Sequence, residues 1–118
     1  MAPPQKNLDV WAGNTFTRRF NFKDSSGGPF DLTGSKLVFR AVSGDTVIRK
    51  ATDTVDSGFE ITDAVNGVVE LHFTVAETRD LPASTIRYEI EQWDGDEQVT
   101  MLYGNLEVTT WVNDDVDP

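Results

Sequence analysis

From residue 14 onward apolar and polar side chains alternate over short runs, and helical spacing is almost absent. In NTFTRRFNFK, residues 14–23, Phe16, Phe20 and Phe22 share one parity while Thr15, Thr17, Arg19, Asn21 and Lys23 take the other. That is the period of a half-buried strand. Arg18 falls on the apolar parity, so it marks a bulge or packs its stem while its head reaches water. KLVFRAV, residues 36–42, sets Leu37, Phe39 and Ala41 against Val38, Arg40 and Val42. Both faces carry apolar atoms, as in a central strand. Shorter β-rich runs follow over 46–51 and 58–62, and Asp63-Ala-Val-Asn66-Gly67 supplies the Asn-Gly signal of a tight hairpin. In residues 67–75, Val69, Leu71, Phe73 and Val75 point inward, and Glu70, His72 and Thr74 outward. Thr74 and Glu77 then have capping-box spacing, and Pro82 limits any helix to about a turn. Residues 85–93 resume alternation with Ile86, Tyr88 and Ile90 inward. Asp94-Gly95 opens the next turn, and 98–112 reads as a long last strand that Gly104 is expected to kink or bulge.

Short alternating strands with turn signals every 8–12 residues predict an all-β chain: an antiparallel immunoglobulin-like β-sandwich of seven to nine strands with at most one short helical turn. Its expected core includes Phe16, Phe20, Phe22, Leu37, Phe39, Leu71, Phe73, Tyr88 and Ile90. Residues 1–13 form an N-terminal arm and first strand, 14–112 the sandwich, and 113–118 an acidic tail; the ends, 1–7 and 113–118, read as flexible or docking arms. After LPASTIRYEI, Tyr88 and Ile90 stand where a tyrosine closes a corner in immunoglobulin-like domains. They fit equally an ordinary core aromatic with its hydroxyl at the rim.

Composition narrows the function classes. The chain has 118 residues, enough for one core, and no apolar run approaches the roughly 20 residues that span a bilayer. MAPPQKN has the pattern of neither a secretory leader nor a transit peptide. With no cysteine there is no disulfide framework and no thiolate. The net charge of −10 repels phosphate backbones and anionic membranes, so neither nucleic acid nor a membrane is an expected partner. Charge is also uneven along the chain. Residues 1–59 hold eight basic and six acidic side chains, and residues 60–118 hold two and fourteen.

Candidate chemistry is sparse. DSSGGPFDLTGSKLVFR, residues 24–40, has the glycines of a phosphate loop but runs into a strand rather than a helix, so it reads as a strand-to-strand connection. The single histidine, His72, lies on an outward parity without a nucleophile elbow or an oxyanion-hole loop. Asp94, Asp96 and Glu97, and likewise Asn113 to Asp115, offer hard oxygen ligands without a calcium-loop pattern. No catalytic, cofactor-binding or metal site is expected. Trp93 shares parity with Glu89 and Glu91, and Trp111 with Glu107, which makes Trp93, Trp111, Glu89, Glu91 and Glu107 the candidate interface residues. The alternative is that loops or the terminal arms cover the two indoles.

The order F-x-F-K-D-S-S-G-G-P-F-D-L-T-G-S-K-L-V-F-R, then N-G-V-V-E-L-H-F-T-V-A-E-T-R-D-L, Y-E-I-E-Q-W-D-G and L-Y-G-N-L-E-V carries a resemblance over about residues 14–112. It resembles a family of tailed-bacteriophage virion proteins whose described relatives carry the immunoglobulin-like N-terminal domain of phage baseplate upper proteins. The resemblance implies a non-enzymatic structural subunit: a tail, collar or baseplate component, or a capsid decoration protein. Its partners would be other virion proteins in many copies, with self-association open, and its place the virion, assembled in the host cytoplasm. It assigns no catalytic residues. The alternative class is a carbohydrate-binding or adhesion module, and a small hydrolase ranks third.

Overall fold

The computed structural model describes residues 4–54, 57–81 and 85–109. In chain order the elements are β1 (Leu8–Trp11), β2 (Phe16–Asn21), β3 (Lys36–Ser43), β4 (Thr46–Ala51), β5 (Phe59–Asp63), β6 (Val68–Phe73), a short helix α1 (Val75–Arg79), β7 (Thr85–Asp94) and β8 (Glu97–Thr109). One sheet has the order β1-β8-β7-β3-β4 and the other β2-β6-β5, and together they make the predicted all-β sandwich. All neighbours are antiparallel except β1, which lies parallel to β8 with Leu8 beside Leu106 and Val10 beside Val108.

Alternation explains what each sheet buries. Leu37, Phe39 and Ala41 of β3 share the inner face with Ile86, Tyr88 and Ile90 of β7, and Val69, Leu71 and Phe73 of β6 meet them from the other sheet. Phe39 is at the centre, with ring centroids of Tyr88, Phe73 and Phe59 at 5.5, 5.8 and 6.4 Å. Every expected core residue is buried except Phe16, which is half-buried at the end of β2 and tilts against Phe73.

The connection out of β2 is built from the turn chemistry its sequence suggests. The Asp24 carboxylate accepts from the Ser26 hydroxyl and from the Ser26 and Gly28 amides, and Asp31 accepts from the Thr33 amide. Gly67 ends the β5–β6 hairpin at φ 69°, where a Cβ would stand 2.5 Å from the Phe30 carbonyl oxygen. Only glycine fits.

Two local expectations are corrected. Val75 does not continue the inward row of β6, because the capping box turns the backbone into α1 at Thr74. The Thr74 hydroxyl accepts from the Glu77 amide, the Glu77 carboxylate accepts from the Thr74 amide, and Val75 is left exposed. Gly104 does not bulge β8. The register shift lies three residues earlier, at Met101, between the pairs Ile90/Leu102 and Glu91/Thr100. Gly104 stays in regular register opposite Tyr88 and makes room for the N-terminal arm. A Cβ there would fall on the carbonyl oxygen of Lys6.

That contact also settles the role of Tyr88. Its ring is buried and its hydroxyl donates to the Lys6 carbonyl at 2.6 Å, while the Lys6 amide donates to Tyr103 at 2.8 Å. Burial, opposed in part by Arg18, pushes the phenol up to about 12, so it remains a donor. The tyrosine closes the sandwich onto the arm, 82 residues away in sequence, rather than onto a local corner. Gly104→Ala is expected to cost about 1–3 kcal/mol, since the methyl must expel the arm and orphan the buried hydroxyl. Urea unfolding measures it; an unchanged midpoint would mean the arm is not anchored there.

Candidate contact surfaces

The outer face of the five-stranded sheet carries the interface candidates. Trp93 of β7 is opposite Lys36 of β3, Glu91 opposite Val38, and Glu89 opposite Arg40. Arg40 in turn faces Arg49 of β4. The outward parity of Trp93 holds, but the indole is half-buried. The Lys36 ammonium is 4.9 Å and the Arg49 guanidinium 5.9 Å from its ring centroid. To reach Arg49 the ring has to cross β3, which accounts for two apolar residues of this face, Val38 and Ala51, being only 2% exposed outside the main core. The Trp93 Nε1 is buried with no hydrogen-bond partner among the described residues.

Trp93 is therefore first a cover for a satellite cluster. Trp93→Ala is expected to leave the fold intact but lower stability by about 2 kcal/mol through uncovering Val38 and Ala51. A thermal melt checks this, and no shift would mean that something else covers them.

Of the candidate acids on this face, Glu89 has a cation in register. Glu89 lies between Arg40 and Tyr103, and Glu91 between Val38 and Thr100. Glu107 is exposed at the far end, flanked by Thr85 and Asp9. Val42 and Val47, a registered pair on β3 and β4, remain exposed beside Arg87. Trp111 lies outside the described residues.

A polar site that sequence reading missed lies inside the sandwich. Lys50 points inward from β4, 4% exposed, and donates to the Glu77 carboxylate at 2.6 Å and to the Ser57 carbonyl at 2.8 Å. Its ammonium also sits 4.8 Å from the Phe73 ring centroid. Burial opposes ionisation of Glu77, but the Lys50 ammonium and the Thr74 amide and hydroxyl together hold its carboxyl below the ordinary 4.5. Gly58, at φ 87°, leaves space for this ammonium: a Cβ there would stand 2.8 Å from the Lys50 Nζ and closer still to the His72 carbonyl. The pair ties β4 to α1 and is structural.

His72 is on the outer face of the three-stranded sheet, its Nδ1 2.8 Å from the Thr17 hydroxyl. It borders an open depression of about 560 Å³ shared with Asp53, Glu60 and Glu70. Among the described residues no three His, Asp or Glu side chains gather where they could hold a metal ion. Asp94, Asp96 and Glu97 are exposed at the β7–β8 turn.

On the opposite side of the sandwich a groove of about 570 Å³ runs between β2 and the bulged segment of β8. Phe20, Phe22, Phe30 and Met101 line its apolar part, and Lys6, Arg19 and Lys23 are its charged residues.

No protein-family model matches the chain, and no curated protein does. Solved structures do. The N-terminal domain of phage TP901-1 ORF48 superimposes with a TM-score of 0.57 at 10% identity, over 92% of this chain and 89% of that one. The receptor Nkp44 of natural killer cells matches with a TM-score of 0.50 at 16% identity, over 94% and 100%. A candidate glycoside hydrolase of Bacteroides vulgatus matches with a TM-score of 0.52 at 13% identity, over 88% of this chain but 16% of its own length. At these identities the likeness is one of fold: a phage domain, a receptor and a segment of a candidate hydrolase share this sandwich.

Proposed function

We propose that the chain is a non-enzymatic structural component of a tailed-phage particle that works through protein–protein contacts. The observation that carries the reading is the match with the phage domain, which covers 92% of this chain and 89% of that domain. The motif resemblance over residues 14–112 points the same way. Tail, collar, baseplate and capsid surface are all open positions for it, and repetition on a lattice would multiply weak single contacts. The outer face with Val42, Val47 and the Glu89/Arg40 row supplies a mixed apolar and charged surface of the kind such contacts use. A sugar-binding role is less well supported, because the Trp93 ring is already engaged by Lys36 and Arg49.

Antibody raised against the isolated domain, applied to purified particles of the phage that encodes it, tests the reading. Labelling at a repeating position supports it. Particles that carry no trace of the chain by mass spectrometry would overturn it, and binding on a glycan array would favour the adhesion class instead.

A further inference from the structure

The groove beside β2 combines three properties that belong together. First, β2 is an edge strand: among the described residues its only ladder partner is β6, because the N-terminal strand β1 joins the other sheet alongside β8. The Phe22 amide donates to Gly67 on the β6 side. By antiparallel alternation Phe20 and Arg18 also direct their backbone groups to β6, and those of Thr17, Arg19 and Asn21 turn to the open edge. Among the described residues none of these three has a backbone partner beyond the ladder. Second, the groove floor at this edge is apolar, with Phe20, Phe22, Phe30 and Met101. Third, all its charged lining residues are cations, although the chain carries 20 acidic and 10 basic side chains. Lys6 and Lys23 have no ion pair among the described residues, and Arg19 has only a 3.7 Å approach to Glu70.

We infer that this groove receives an extended, acidic segment of a partner protein, which adds to β2 as a further strand. Side chains of an added strand alternate, as those of β2 do. One set would face the floor beside Phe20 and Phe22. The other would lie on the outer surface beside Arg19 and Lys23. The fitting segment therefore alternates apolar and acidic residues: main-chain bonds to the open edge supply affinity, and the two rows of side chains supply selectivity. Cations without an ion pair among the described residues, Lys6 and Lys23, also favour the approach of such a segment to this groove. The inference holds whether or not the domain belongs to a virion.

The test uses the full chain and a fluorescent peptide, Glu-Val-Glu-Val-Glu-Val, equal in length to the 6 residues of β2. Fluorescence anisotropy should show saturable binding, weakened about tenfold or more by the surface pair R19E/K23E and unaffected by K36E on the opposite sheet. Folding of each variant is checked by circular dichroism. The Lys-Val counterpart should not bind. Two N-methylated peptides, one methylated on every Glu and the other on every Val, should behave oppositely, because only one parity of amides faces β2. Equal binding of the two, equal binding of the acidic and basic peptides, or no binding at millimolar concentration would each overturn the proposal. So would self-association of the chain that R19E/K23E abolishes, which would make a second copy the occupant.

Discussion

Phe73→Ala is expected to lower the unfolding free energy by about 3–5 kcal/mol, equivalent to a melting temperature lower by roughly 12–25 °C in a domain of this size. Phe73 is 1% exposed and joins three parts of the interior at once. Its ring lies against Phe39 in the facing sheet, against Phe16 on the neighbouring strand, and under the Lys50 ammonium. Alanine would leave a cavity in the middle of the sandwich and take away the aromatic face beside a buried cation. Phe16→Ala, at the half-buried end of the same pair, should cost only about 1–2 kcal/mol by lost apolar area. Because Phe73 and Lys50 touch, Phe73→Ala combined with Lys50→Met should not be additive. Urea titration of the variants checks the series. A loss below about 1 kcal/mol for Phe73→Ala would place that ring outside the core.

The strands were legible wherever one face packs and the other meets solvent. In β6 and β7 the inward rows Val69, Leu71, Phe73 and Ile86, Tyr88, Ile90 stand where parity puts them. The capping box of α1 was legible because both its bonds are local. What it does to Val75 was not, since alternation has no way to announce where a strand gives way to a helix. The direction of β1 was also hidden: LDVW has the alternation of a strand, but its parallel seat beside β8 is decided by residues nearly a hundred positions away.

The same division holds for the candidate surfaces. Parity put Trp93, Glu89, Glu91 and Glu107 on the outer face, where they are. The burial of Trp93 depends on Lys36 and Arg49 from two other strands, and the pairing of Glu89 with a cation depends on register with Arg40. Gly104 looked like a defect in β8 because its neighbour, the Lys6 carbonyl, comes from the other end of the chain. The groove could not be read either, since Phe20, Met101 and Lys6 meet only once β1 has gone to the opposite sheet. Lys50 was the hardest case: a lysine on an inward position makes sense only with the counter-charge of Glu77, 27 residues later.

That pair carries the second large effect. Glu77→Gln is expected to cost about 3 kcal/mol at neutral pH, whereas Lys50→Met should cost within about 1 kcal/mol. The asymmetry follows from burial. The Lys50 side chain is 5% exposed and that of Glu77 41%, so removing the carboxylate strands a cation in the interior, while removing the cation leaves an acid that water can still reach. That exposure also screens the pair, which puts the cost of Glu77→Gln at the lower end for a broken buried ion pair. Glutamine can keep the capping box through its Oε1, which turns its amide NH2 toward the Lys50 ammonium, so the loss combines the missing charge with a donor facing a donor. Methionine fills the space of the lysine stem and packs its sulfur against Phe73, offsetting the lost bond to the Ser57 carbonyl. The pH dependence has a definite sign. The fold holds the Glu77 carboxyl below its ordinary 4.5, so its contribution is complete above that value and fades as pH falls through and below it. The stability gap between the wild type and Glu77→Gln should therefore narrow steadily under acid, with the lowered Asp24, Asp31 and Asp53 carboxyls acting equally in both proteins. Urea unfolding at pH 7 and at successive steps below pH 4.5 measures the gap. A gap that stays constant with pH, or a Lys50→Met variant less stable than Glu77→Gln, would show that the ion pair is not what holds α1 to β4.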